Sequence, residues 1–265
     1  GHGAGGGPVR AATAGDTTWL RRYRPVPHAE TRLVCLPHAG GGASSFRRWP
    51  ARLPAHLELH AVQYPGREDR LTDSCVTDFA RLADLVTDAL TPLLDRPLAL
   101  FGHSMGAALG YEVAARLARR GFTPAHLFVS GLPAPCHHRP GTVHLGDDEA
   151  LVAELRRLGG TDDRALDDPE LRAVVLPSVR ADYRAFETHR PALVPPLGCP
   201  VTGLVGVADP TASPAEVRDW AHHTRAAFAL RTYPGAHFYL DDVHETVVAD
   251  VVAALGPARR VSDLP

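Results

Sequence analysis

Short apolar runs alternate with stretches of helical periodicity along most of this chain. Runs typical of strands occupy residues 32–36, 59–64, 98–101, 126–131, 200–206 and 227–233. Between them, apolar residues recur every three or four positions, as on one face of a helix, within residues 78–94, 105–121 and 247–255. Strands that alternate with helices predict a mostly parallel sheet covered on both faces. The fold class is therefore predicted to be α/β.

The alternation breaks between residues 133 and 198, where no convincing strand pattern is found. Two helical stretches lie there, at 147–158 and 169–189, and Asp168 followed by Pro169 is a typical helix start. Pro177 is expected to divide the second stretch in two. An all-helical insertion of this size in an α/β chain is most simply a lid over an active site. Additional core packing is the alternative.

The beginning of the chain carries little apolar pattern. Glycine and proline dominate it, with Trp19 and Leu20 among its few potential anchors. We therefore expect a flexible N-terminal arm over residues 1–30. The rest is expected to form one α/β domain over residues 31–265, with the lid inserted at about 133–198.

Composition narrows the classes of function. The chain has 265 residues, of which 45% are hydrophobic and 22% charged, and its formal net charge is −2. This balance is ordinary for a globular protein and does not favour a nucleic-acid or anionic-membrane partner. No apolar run is long enough to span a bilayer and no signal peptide is visible, so a cytoplasmic location is expected.

The cysteines and basic residues bear on cofactors and charged partners. The four cysteines show neither close pairing nor metal-site spacing, and Cys35 and Cys199 are predicted to be buried free thiols. No metal and no bound cofactor are therefore predicted. Every basic side chain other than histidine is arginine, so a phosphate or carboxylate partner would have to be met by arginine or histidine.

The stretch 98–106 carries the strongest chemical signal. An apolar run ends in Gly-His-Ser-Met-Gly, and a helical pattern begins at once. This is the pattern of a nucleophile elbow, in which a strand enters a strained turn and a helix leaves it. Ser104 would occupy the tip, and the glycines on either side would leave room for the tight turn. Because Gly-x-Ser-x-Gly alone is a weak motif, an ordinary glycine-rich turn remains the alternative.

A serine nucleophile needs a base, and the base needs a carboxylate to orient it. His237 follows the last strand in a Gly-Ala-His-Phe turn, and Asp209 follows the strand before it. Both positions lie where parallel strands end, at the edge of the sheet where ligands gather. We therefore predict Ser104, Asp209 and His237 as the catalytic residues. The less favoured alternatives, placed on helical segments, are His222, His223, His244, Asp241 and Asp242.

The negative oxygen of a tetrahedral intermediate needs two N–H donors. One is predicted to be the amide of Met105, directly after the serine. The other is assigned to Ala39, in the glycine-rich turn 37–43, where small residues let the backbone approach a ligand. A phosphate cradle is the alternative for this turn, but the residues do not fit the P-loop pattern or a dinucleotide fingerprint. A short amphipathic helix is predicted after it, over residues 46–53.

Taken together, these motifs resemble those of one enzyme family. They are Pro-His-Ala-Gly-Gly at 37–41, Tyr-Pro-Gly-Arg-Glu at 64–68, the elbow at 102–106, Asp-Pro at 209–210 and Gly-Ala-His-Phe at 235–238. In this order they are similar to the free-standing type II thioesterases, the editing enzymes of polyketide and non-ribosomal peptide assembly lines. The resemblance covers about residues 32–255.

The resemblance implies an α/β-hydrolase fold with a helical lid. It implies a substrate in which an acyl group is held as a thioester on the phosphopantetheine arm of an acyl or peptidyl carrier protein. It places the triad at Ser104, Asp209 and His237, and the oxyanion donors at Ala39 and Met105. A monomer is expected. Arg67 and Arg70 are candidates for meeting the carrier's phosphate or acidic surface, although a solvated position is the simpler interpretation.

Other functions remain open at this stage. A small-molecule carboxylesterase or lipase would use the same fold and triad, and the discriminating property is dependence on a carrier protein. A non-catalytic binding protein of the same fold would be expected to lack part of the triad. A chain-terminating thioesterase domain is less favoured. Transfer of the acyl group to an acceptor other than water also stays open.

Overall fold

The computed structural model describes residues 18–191 and 193–257, and within them one sheet of seven strands organises the fold. The strand order is β1-β3-β2-β4-β5-β6-β7, with β1 antiparallel to β3 and every other neighbouring pair parallel. The strands are β1 Leu20–Arg21, β2 Thr31–Leu36, β3 Leu57–Val62, β4 Leu98–His103, β5 His126–Ser130, β6 Val201–Gly206 and β7 Phe228–Tyr233.

Eight α-helices accompany these strands in the described part of the chain. They are α1 Phe79–Leu90, α2 Met105–Arg119, α3 Asp148–Leu158, α4 Asp163–Asp167, α5 Pro169–Thr188, α6 Pro214–Arg218, α7 Tyr239–Asp242 and α8 His244–Leu255. The predicted start of α5 is confirmed, because the Asp168 carboxylate accepts the amides of Glu170 and Leu171. Across residues 18–191 and 193–257, no helix has both the length and the apolar character needed to cross a bilayer.

Alternate residues of each central strand feed two separate cores. In β2, Leu33 packs into one hydrophobic cluster while Val34 packs into the other. The cluster around Val34 includes α1 and α2, and the cluster around Leu33 includes α8 and the segment 43–53. A parallel sheet with both faces buried is the architecture that its apolar strands require. The predicted fold class is confirmed.

The segment between β5 and β6 is all-helical, as expected, and has a small core of its own. Leu151 and Leu155 of α3, Leu166 of α4, and Leu176 and Val179 of α5 bury one another there. The prediction that Pro177 would split the second stretch is wrong, because α5 runs unbroken from Pro169 to Thr188. A proline removes only one hydrogen bond of a helix, and the buried side chains on either side hold α5 together across it.

Two further expectations differ from the structure. The predicted arm over residues 1–30 lies outside the described residues up to residue 17, but its end is part of the sheet: Leu20 pairs with Val62, and Trp19 is 8% exposed. The predicted amphipathic helix over 46–53 is instead two short 3-10 turns, Ala43–Phe46 and Pro50–Arg52. Pro50 has no N–H to continue a helix from the first turn.

Candidate active site

Ser104 lies in a strained turn between β4 and α2. Its backbone angles are φ 55° and ψ −118°, a region that residues with a side chain rarely adopt. A Cβ on Gly102 would lie 2.0 Å from the carbonyl oxygen of Gly106, and a Cβ on Gly106 would lie 2.0 Å from that of Leu36. Both flanking positions therefore require glycine, as the elbow motif predicts.

The ends of β6 and β7 bring Asp209 and His237 together. Asp209 Oδ2 lies 2.8 Å from His237 Nδ1, and both residues are buried. Thr211 supports the pair: its hydroxyl donates to Asp209 Oδ1 at 2.8 Å and lies 3.1 Å from His237 Nδ1. Burial alone would raise the pKa of Asp209, but its interactions with His237 and Thr211 outweigh burial and lower that pKa. The carboxylate is thus ionised and aimed at the imidazole.

Two further histidines lie beside His237. The ring centroids of His103 and His237 are 4.9 Å apart, and those of His38 and His103 are 6.3 Å apart. Burial, followed by the neighbouring charge of His237, lowers the pKa of His103 well below its ordinary value and that of His38 to about 3. Both rings are neutral at pH 7. Neither His38 nor His103 therefore repels a positive charge on His237.

A cavity of about 350 Å³ opens over these residues. Ser104, His237 and Ala39 line it from the side of the sheet, while α3 and α5 line it from the insertion, with Glu154 and Tyr183 among their contributions. The insertion therefore covers the elbow, as expected of a lid, although it also has packing of its own. The size and enclosure of the cavity suit an organic substrate.

The alternative catalytic residues lie elsewhere. Among the described residues that line the cavity of Ser104, His237 is present, whereas His222, His223 and His244 are not. The carboxylate that contacts His237 is that of Asp209, at 2.8 Å, and among the described residues neither Asp241 nor Asp242 forms an ion pair with His237. The acidic alternatives are exposed in α7, at the surface. The structure thus places Ser104 and His237 on one cavity and joins His237 to Asp209, which is the arrangement that the predicted triad needs.

The two predicted oxyanion donors lie on different elements. Met105 is the first residue of α2, so its amide has no partner within that helix. Ala39 lines the cavity from the turn after β2, and its amide N–H donates to no acceptor among residues 18–191 and 193–257. An oxyanion hole needs two such donors, and the assignment of Ala39 and Met105 to that role stays a prediction.

Arg67 and Arg70 do not lie on an exposed rim. Arg67 is only 5% exposed and forms an ion pair with Asp182 of α5. Arg70 packs over the ring of Trp19, with its guanidinium carbon 4.4 Å from the ring centroid, and pairs with Asp73. The proposal that either one meets a carrier protein is wrong, because both guanidinium groups are used inside this chain.

Sequence reasoning missed Asp182 and Thr211. Thr211 had a weak signal, since an Asp-Pro-Thr sequence after a strand favours a turn in which the aspartate accepts the amide two residues on, and Asp209 does so at 2.8 Å. Asp182 had no signal of its own. It lies among many charged positions of a helical pattern, and only the folded chain shows that it is buried.

One group of side chains has the donor set of a metal site. The donor atoms of Cys136, His137 and Asp219 lie within 4.8 Å of one another, and His137 Nε2 is 2.5 Å from Asp219 Oδ2. The histidine and the carboxylate already satisfy each other, and the thiol is exposed. The absence of a metal and of a bound cofactor stays a prediction.

Comparison with known proteins identifies the family of the chain. Residues 31–255 match the family model for the thioesterase domain. The chain is 46% identical over 249 residues to thioesterase PikA5 of Streptomyces venezuelae, covering 92% of this chain and 88% of that protein. It is 44% identical over 255 residues to a probable cadicidin biosynthesis thioesterase of Streptomyces griseus, covering 95% of this chain and 70% of that protein.

A solved structure is also similar. The type II thioesterase BorB from the borrelidin biosynthetic cluster matches with a TM-score of 0.85 and 43% sequence identity. The match covers 92% of this chain and 100% of the BorB chain. The chain belongs to the thioesterase family.

Proposed function

We propose that this enzyme is an editing thioesterase, which hydrolyses aberrant or stalled acyl groups from the phosphopantetheine arm of carrier proteins in polyketide or non-ribosomal peptide synthesis. The observation that carries the proposal is the strained Ser104, which lines one lidded cavity together with a histidine bound to a buried aspartate. The names of its relatives, which include a probable cadicidin biosynthesis thioesterase and a type II thioesterase from the borrelidin biosynthetic cluster, support the pathway.

The first half of the reaction makes an acyl-enzyme. His237 Nε2 takes the proton of the Ser104 hydroxyl as its oxygen attacks the thioester carbonyl, while Asp209 stabilises the imidazolium through Nδ1. The amides of Ala39 and Met105 donate to the negative oxygen of the tetrahedral intermediate. The C–S bond then breaks and the pantetheine thiolate leaves, taking up the proton from His237.

The second half releases the acid. A water molecule gives a proton to His237 and attacks the ester carbonyl on Ser104, through a second tetrahedral intermediate held by the same two amides. When the C–O bond to Ser104 breaks, His237 returns the proton to the serine oxygen. The products are a free carboxylic acid and a free enzyme, and no metal or redox cofactor takes part in the proposed steps.

The substrate identifies the partner as an acyl or peptidyl carrier protein that presents the loaded arm at the cavity. We propose that the enzyme works as a monomer in the cytoplasm. Its four cysteines, all free thiols, suit a reducing compartment. A carboxylesterase using the same residues remains the alternative function, since the triad chemistry would be the same.

The test is trapping of the acyl-enzyme. Wild type and Ser104→Ala are mixed with an acyl thioester, quenched at short times and examined by intact-protein mass spectrometry. We expect a transient mass increase of one acyl group in wild type, located on the peptide that contains Ser104, and a loss of turnover of at least about 10³-fold in Ser104→Ala. Full hydrolysis by Ser104→Ala, or an acyl group on another residue, would refute the proposed mechanism.

A further inference from the structure

A buried ion pair ties the insertion to the rest of the domain. Arg67, in the loop after β3, meets Asp182 of α5 with both ends of its guanidinium: Nη2 donates to Oδ1 at 2.9 Å, and Nη1 donates to Oδ2. The two residues are 5% and 2% exposed. A bidentate ion pair of this kind fixes the relative orientation of its two partners as well as the distance between them. The second half of α5 is therefore held in a defined position.

The same pair holds the turn that carries Ala39. The carboxylate of Asp182 accepts the amide of Gly40 at 2.8 Å, and Arg67 donates to the carbonyl oxygen of Gly41 at 3.2 Å. The turn is closed on its inner side by a bond of 2.9 Å from the Gly41 amide to the His38 carbonyl. The Arg67–Asp182 pair thus contacts two consecutive residues of a four-residue turn.

The direction of the Ala39 amide follows from these bonds. The His38 carbonyl and the Ala39 N–H belong to one planar peptide unit and point in opposite directions. Because the carbonyl is held by Gly41, the N–H is turned away from the inside of the turn. The next peptide unit is held through the Gly40 amide by Asp182. The orientation of the predicted oxyanion donor is therefore fixed by its neighbours on both sides.

Close packing leaves this turn no room to adjust by itself. Gly40 has φ +79°, which favours glycine, and a Cβ there would lie 2.5 Å from Val179 Cγ2. Val179 and Asp182 lie one turn apart on α5, so the helix contacts the turn by an apolar group and a charge together. Movement of this part of α5 would move the turn.

We propose that Asp182 is a positioning residue, through which lid helix α5 holds the Ala39 turn in the geometry of the oxyanion hole. This inference rests on the proposed function, because it assumes that Ala39 donates to the tetrahedral intermediate. Asp182 does not touch the reacting atoms. Its role is to make the lid helix part of the catalytic geometry, so that the hole is complete only while the second half of α5 is seated.

The test compares two small esters that differ in one atom, p-nitrophenyl acetate and its thionoester, in which sulfur replaces the carbonyl oxygen. Sulfur accepts hydrogen bonds poorly, so an intact oxyanion hole favours the oxygen ester. In Asp182→Asn we expect kcat for the oxygen ester to fall about 10- to 100-fold with KM nearly unchanged, while the thionoester rate falls much less. The preference for oxygen therefore shrinks.

A matched control separates this role from general loosening of the lid. Arg180 lies in the same helix and ties it to residues 144–148 without touching the Ala39 turn. In Arg180→Gln we expect the preference for the oxygen ester to stay as in wild type. Arg67→Lys keeps the charge but loses the two-fold contact, and it should show a smaller shrinkage of the preference than Asp182→Asn. If circular dichroism shows that Asp182→Asn does not fold, Arg67→Lys replaces it as the test variant.

The proposal would be overturned if Asp182→Asn lost kcat equally on both esters, or if its rate preference for the oxygen ester stayed within twofold of that of wild type. An equal shrinkage in Arg180→Gln would also overturn it. The proposed function fails by a different result, full ester and thioester hydrolysis by Ser104→Ala, so the two failures are distinguishable.

Discussion

His237 is one of several histidines in the described chain that lie beside a carboxylate. A carboxylate partner does not distinguish it, since His60, His137 and His144 also lie beside acidic groups. What distinguishes it is a place directly after the last strand, at the sheet edge where the Ser104 elbow also lies. That place is visible in the sequence because strand ends are marked by Gly-Ala-His-Phe and similar turns. A position such as Asp182, whose role depends on contact across 115 residues of chain, is not.

At this scale the carboxylate assignment can be tested by paired substitutions. Asp209→Asn should lower kcat roughly 10³- to 10⁴-fold, the size of loss known for the serine protease triad, because His237 loses the partner that fixes its tautomer. Asp242→Asn, an exposed neighbour of His237 in sequence, should leave kcat within twofold. Steady-state hydrolysis of one acyl thioester by both variants checks this. Comparable losses in the two variants would contradict the assignment of Asp209.

Among the elements, the apolar runs predicted the strands of the central sheet. The elbow pattern predicted a strand before Ser104 and a helix after it, and β4 and α2 lie there. The insertion was harder to interpret. Its helices were visible in the periodicity, but the continuity of α5 across Pro177 depends on the core formed with α3 and α4. A local rule about proline cannot include that packing. The 3-10 turns at Ala43–Phe46 and Pro50–Arg52 have a local cause instead, because Pro50 has no N–H to continue a helix from the first turn.

The two halves of α5 should differ in dynamics. Before Pro177, the side chains of Leu171 and Val174 are each 48% exposed. After Pro177, Asp182 accepts the amide of Gly40 in the Ala39 turn, and Glu187 accepts the amides of residues 143 and 144. Hydrogen exchange followed by mass spectrometry should therefore be faster over residues 169–176 than over residues 178–188. Uniform protection along α5 would contradict a lid that is anchored at one end.

For the molecule as a whole, buried neutral histidines link stability to pH. His126 stacks on Phe128 and bonds to Thr202, far along the sheet from the elbow, and burial lowers its pKa to about 4. In the unfolded chain the same ring has a pKa near 6.5, so between these values the unfolded state binds more protons. The contribution of His126 to the free energy of unfolding is therefore fully present above about pH 6.5 and is lost as the pH is lowered towards 4.

His126→Gln should remove part of this dependence. Between pH 7.5 and pH 4.5, the free energy of unfolding of wild type should fall by about 2 to 3 kcal/mol more than that of the variant, because glutamine does not titrate. Urea unfolding at the two pH values measures both quantities, with each protein at pH 7.5 as its own reference. Parallel losses in the two proteins would show that His126 is not the group responsible.

Dependence on a carrier protein is the most direct test of the central claim. One acyl group is presented in two ways, on the phosphopantetheine arm of a carrier protein and on a short pantetheine thiol, and hydrolysis of each is followed by mass spectrometry of the intact substrate. Wild type should release the acyl group much faster from the carrier, and Ser104→Ala should lose both activities. Equal rates on the two substrates, or activity on simple esters alone, would contradict the editing function and indicate a general esterase.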